Sequence, residues 1–89
     1  MDQELLEELR PLFIAEMSQR IGQLREYVTS ADIEQVRQLA HKIRGAGGTY
    51  GFTEISRHGS VVEEAAKIGD WEIIRAGCGD LETWLTQNN

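Results

Sequence analysis

Apolar residues recur in this chain at steps of three and four almost from end to end, a period that admits helices and little else. Phe13, Met17, Ile21, Leu24 and Val28 make one stripe, and Ile33, Val36, Leu39, Ala40 and Ile43 a second. Ile55, Val62 and Ala65 or Ala66 make a third; Trp71, Ile74, Cys78, Leu81 and Leu85 make a fourth. No segment alternates apolar and polar residues as a strand would, and no internal repeat is present. Pro11, the single proline, is best placed in a first helical turn, so it is expected to end a short helix carrying Leu5, Leu6 and Leu9 and to open the helix over 11–28. Ser30 or Asp32 then caps a helix reaching about Thr49, Asp32 having Gln35 at the capping-box distance, and Gly51 closes it. Thr53 is the N-cap expected for a helix to about Ile68, and Asp70 that of a last helix whose final "TQNN" is expected to fray. Short connections make successive helices antiparallel. The expected fold is all-α, an up-and-down four-helix bundle with a short additional N-terminal helix.

With 89 residues, 40% of them hydrophobic, the chain suits one domain over 1–89 with a single modest core. A net charge of −6 argues against nucleic acid and anionic membrane surfaces, both of which are recognised by clustered Lys and Arg. A protein partner is the better expectation. Cys78 is the only cysteine, which excludes an internal disulfide and suits a reducing compartment. No apolar run nears the roughly 18 residues of a membrane span, and Met1 is followed by acidic residues, unlike a secretory signal. A cytoplasmic, monomeric domain is expected.

The segment "AHKIRGAGGTYGF", residues 40–52, sets a histidine among glycines inside a helix. Phased at about 100° per residue, Ile33, Val36, Leu39, Ala40, Ile43, Ala46, Gly47 and Tyr50 gather on one side of that helix. His41 falls on the opposite side with Glu34, Arg37, Gln38, Arg44, Gly45 and Gly48, so it is expected to face solvent. Each interior glycine costs about 1 kcal/mol relative to alanine, and Gly45 and Gly48 recover none of it by packing on a solvent face. They clear ground beside the ring, one and two turns on, for a second macromolecule, while the inward Gly47 lets a neighbouring helix come close. An ordinary imidazole is mostly neutral at pH 7 and nucleophilic at its unprotonated nitrogen. A phosphoryl group there would bring about two negative charges, which Arg44, Lys42 and Arg37 could offset. The stretch 31–50 is the one net basic segment of the acidic chain.

"AHKIRGAGGTYG" resembles the signature of histidine-containing phosphotransfer (Hpt) domains, roughly AHxLKGxxxxxG, and looser likeness extends from Phe13 onward through "SADIEQVRQLA", Ile55, Val62 and Glu63. His41 takes the phosphorylated position, Gly45 the glycine four residues on, and Gly51 the glycine that ends the helix. Arg44 stands where the family usually has lysine, with Lys42 beside the histidine, and Ala46 where serine is frequent. A guanidinium binds phosphate in a different geometry from an ammonium, so transfer rate and partner preference are the properties this departure bears on. The resemblance implies a relay in which a receiver-domain aspartate passes a phosphoryl group to His41, which hands it to another receiver. It implies phosphorylation at Nε2, no kinase activity or cofactor of the domain's own, and Mg²⁺ on the partner receiver. Response-regulator receiver domains and a hybrid sensor histidine kinase are the partners it implies.

On this reading His41 is the phosphoacceptor, Arg44 and Lys42 supply phosphate-side electrostatics, and Arg37, Gln38, Gly45 and Gly48 form the docking ground. Two alternatives stay open: an adaptor of the same fold that binds a receiver without accepting phosphate, and the dimeric helical core of a histidine kinase, for which a different charged residue would follow the histidine. The glycine run lacks the GK[ST] of a P-loop and the third glycine of GxGxxG, and no strand precedes it. His58 reads as a half-buried spacer, Cys78 as a small core residue, and the pair Glu63 and Glu64 as a solvated face. His41, His58 and Cys78 have no ligand spacing, so no metal site is expected.

Overall fold

A computed structural model describes residues 2–89; Met1 lies outside them. Four helices follow one another: α1 over Gln3–Thr29, α2 over Ile33–Thr49, α3 over Thr53–Ile68 and α4 over Trp71–Asn88. Among the described residues each helix packs on its sequence neighbours, α1 closes the ring against α4, and the diagonal pairs make no close backbone approach. This is the expected all-α four-helix bundle.

The short additional N-terminal helix does not exist as a separate element. α1 runs unbroken through Pro11. Proline's φ is helix-compatible, and its penalty of about 3 kcal/mol comes from the missing N–H and the clash with the carbonyl four residues back. Contacts on both sides of the proline keep the helix in line. Arg10 lies 5.3 Å over the Phe52 ring and donates to Asn88 Oδ1 at 3.0 Å, and Phe13 is buried in the core. Helix α4 continues through "TQNN" as far as Asn88, which takes that bond from Arg10 and donates Nδ2–H to the Trp84 carbonyl at 2.8 Å.

All three connections use one device. A residue with left-handed backbone follows each helix, at Ala31 (φ 57°), Gly51 (φ 79°) and Gly69 (φ 72°). The next residue's N–H then reaches back to the carbonyl of Tyr27, Gly47 or Ala65, at 3.0, 2.8 and 2.9 Å, which satisfies orphan carbonyls of the last turn. That same residue starts the following helix. Asp32 and Asp70 cap α2 and α4 through Gln35 N–H and Ile73 N–H at 3.3 and 3.1 Å. At α3 the N-cap position is Phe52 rather than the expected Thr53, and no side chain caps it. The Phe52 ring is spent elsewhere: it stacks on Phe13 at 4.1 Å and meets Trp84 edge-on at 5.7 Å.

The four stripes read from the sequence meet inside. Met17, Ile21, Leu24, Val36, Ile43, Ile55, Val62, Ile74 and Leu81 are all but sealed from solvent, each large side chain contributing about 1.5–3 kcal/mol by burial. Cys78 is buried among them, and that burial pushes its thiol up to about 11. Arg25 on α1 and Glu82 on α4 form a two-pronged ion pair at 3.0 and 2.5 Å. Among the described residues no helix is long and apolar enough to cross a membrane.

Candidate functional site

α2 and α3 form the site together. His41 stands mid-way along α2 with its side chain 67% exposed, and its Nδ1 lies 2.9 Å from Oε2 of Glu63 on α3. Arg44, one turn on, donates from Nη1 to the other oxygen of the same carboxylate at 3.0 Å. Glu63 itself is only 5% exposed. Burial, the largest single influence on it, opposes the charged form, yet the bonds from Arg44 and His41 outweigh burial and hold the carboxyl below the usual carboxylate range. An ionised carboxylate only accepts hydrogen bonds. Nδ1 therefore carries the ring proton, and Nε2 is left as the nitrogen with a free lone pair.

Glu63 corrects the sequence reading, which placed it with Glu64 on a solvated face. Glu64 is indeed exposed, pairing with Lys67 at 3.2 Å, but Glu63 turns toward α2. A signal for it was present one turn back at Gly59, a small residue on the same face of α3 where another helix could approach. Periodicity alone could not reveal it, since the partner lies 22 residues away on a different helix.

The other candidate residues divide by what they touch. Arg37 is tied to Glu34 through two contacts, and Gln38 donates to the same glutamate at 3.1 Å. Lys42 is exposed and has no ion-pair partner among the described residues. Once Glu63 is brought in, Lys42 is thus the uncompensated cation beside His41. The glycines sort into two kinds. A Cβ at Gly45 would meet nothing within 4 Å, and one at Gly48 would meet only Ser56 Oγ at 3.8 Å. Their bareness serves no internal packing. Gly47 is the inward one, where a Cβ would stand 2.6 Å from the Ser56 nitrogen.

His58 is half-buried, with Nδ1 3.9 Å from Asp80 Oδ2 across α3 and α4, beyond hydrogen-bonding distance. Among the described residues no group of three or more His, Cys, Asp or Glu side chains is placed to hold a metal ion.

The site thus presents an exposed imidazole with its Nδ1 held by Glu63 and cleared ground beside it. The family model for the Hpt domain matches residues 8–88. No curated protein and no solved structure matched the chain. The match covers nearly the whole bundle, His41 and Glu63 included, and the chain accordingly belongs to the Hpt domain family, whose members are phosphocarriers rather than kinases and exchange phosphoryl groups with response-regulator receiver domains in phosphorelays.

Proposed function

We propose that His41 is the phosphoacceptor of a relay, taking a phosphoryl group from the aspartate of one receiver domain and passing it to the aspartate of another. The observation that carries this reading is the Glu63 bond to Nδ1, which leaves the lone pair on Nε2 of an exposed ring. As that lone pair forms a bond to phosphorus, the acyl-phosphate P–O bond breaks and the receiver carboxylate leaves with its electrons. Positive charge develops on the imidazole, and the ionised Glu63 is already in place to stabilise it without rearrangement. Transfer to the second receiver runs the same steps backward. The divalent ion and its acidic ligands belong to the receiver in this scheme, because phosphoryl transfer is mostly positioning and charge stabilisation.

Lys42, without an ion-pair partner among the described residues, and Arg44, exchanging its hold on Glu63, supply cations to the incoming phosphate. Gly45 and Gly48 keep the ground beside the ring clear, with Arg37 and Gln38 at the edge of the docking area. The test is acid-labile phosphate incorporation from a panel of phosphorylated receiver domains with Mg²⁺, with His41→Gln as control. Labelling that disappears in His41→Gln is expected. Labelling that persists in that variant would overturn the assignment, and binding to receivers with no transfer from any of them would replace the relay with the adaptor reading.

A further inference from the structure

The hydrogen bond that orients His41 depends on how closely α3 lies against α2, and the closeness traces to glycine. A Cβ at Gly59 would stand 2.8 Å from the Arg44 nitrogen and 3.0 Å from Arg44 Cα; at Gly47 it would stand 2.6 Å from the Ser56 nitrogen and 3.0 Å from the Phe52 carbonyl oxygen. At both points a glycine lies against the other helix's backbone. The pairs follow one antiparallel register. Gly47 meets Ser56, Arg44 meets Gly59, and one turn further His41 meets Glu63. Gly59 is thus immediately beside the site contact, and its own neighbour, Arg44, is the residue that shares Glu63 with His41.

We infer that Gly59 is a positioning residue of the His41 site: by admitting the α2 backbone it sets the interhelical distance at which Glu63 reaches Nδ1 and fixes the ring tautomer. The consequence for phosphotransfer rests on the function proposed above, but the positioning itself does not. Relieving a 2.8 Å overlap to an ordinary separation of roughly 3.6 Å moves the helices apart by up to about 0.8 Å. The same movement stretches the 2.9 Å bond from His41 past the length at which a hydrogen bond persists. The Glu63 side chain is only 5% exposed, so its packing restricts the rotation by which it could follow α2.

The measurement is the ¹⁵N spectrum of the His41 ring at a pH where it is neutral, with no receiver or phosphate present. Wild type is expected to show Nδ1 protonated and Nε2 bare. Glu63→Ala supplies the reference for a ring without its partner, and Gly59→Ala is expected to move both ring nitrogens toward that reference. Leu24→Ala, a core change on α1 outside the α2–α3 backbone approach, controls for general destabilisation and is expected to leave the ring signals at wild-type positions. Should Gly59→Ala not fold, Glu63→Asp tests the same distance with Gly59 intact, since it shortens the reach by one methylene. Loss of the Nδ1–H form in that variant supports the inference. A folded Gly59→Ala with wild-type ring signals would overturn it, as would Glu63→Asp keeping the Nδ1–H form, or Leu24→Ala shifting the ring as far as Gly59→Ala. Because no transfer is measured, a failed relay assay leaves this result standing, and a failed spectrum leaves the relay assay standing.

Discussion

His41 needs no unusual environment to be nucleophilic, and what the fold adds is direction. Glu63 does this from a buried position while Arg44 shares its charge, a three-residue unit in which the carboxylate is the hub. Because the folded state holds Glu63 below the ordinary carboxylate range, its ionised form stabilises folding. The sign follows: that contribution is fully present above the unfolded value, about 4.3 for glutamate, and is lost as pH falls through the lower folded value. Glu63→Gln is expected to cost about 1 kcal/mol at neutral pH, and the gap to wild type should hold down to about pH 4.3 and narrow as urea unfolding is repeated below it. A gap that widened below that pH would contradict the bond pattern. The same variant should slow receiver-dependent labelling of His41 by about tenfold, equivalent to about 1.4 kcal/mol in the barrier. Histidine, glycines and basic residues of this site share one stretch of sequence and were legible there. Glu63 was not, since its partners are on another helix.

At the scale of elements, helix identity was written in the spacing of apolar residues, while two details were settled by neighbours. Pro11 lies in the ninth position of α1, where the sequence pointed to a break. Pro11→Ala restores the missing N–H to the Glu7 carbonyl and should stabilise by up to about 3 kcal/mol. Because residues 3–9 precede the first buried residue, Phe13, much of that gain should appear as slower amide exchange in the first turns, and only part as a higher Tm; a lower Tm would count against it. The three connections invite a second comparison. Gly51 and Gly69 adopt left-handed backbone at little cost, but Ala31 does so with a Cβ, at about 1–2 kcal/mol. Ala31→Gly relieves this while raising the entropy of the unfolded chain by up to about 1 kcal/mol. A small net stabilisation is expected, read as a higher denaturant midpoint at unchanged slope.

For the whole molecule, the long dimension of 40 Å matches the length of α1, about 1.5 Å per residue, so the shorter helices pack along part of it. His41 emerges from the α2–α3 face of this rod, and its bare ground is open to a partner. Gly48→Arg adds a large side chain where only Ser56 Oγ lies nearby and removes a helical glycine, so the variant should fold with a Tm no lower than that of wild type. Its receiver binding should weaken at least about tenfold, the effect of losing 1.4 kcal/mol. Normal docking by the folded variant would remove the clearance role of Gly45 and Gly48. By itself the sequence determined helical identity, the apolar stripes, the caps at Asp32 and Asp70, and the exposed place of His41, because these follow from local spacing along one helix. Tertiary structure alone decided that α1 continues through Pro11, that Phe52 serves the aromatic cluster instead of a cap, and that Glu63 turns inward to His41. Each of these depends on how closely one helix approaches another, and that distance is set by side chains, above all glycines, far apart in the chain.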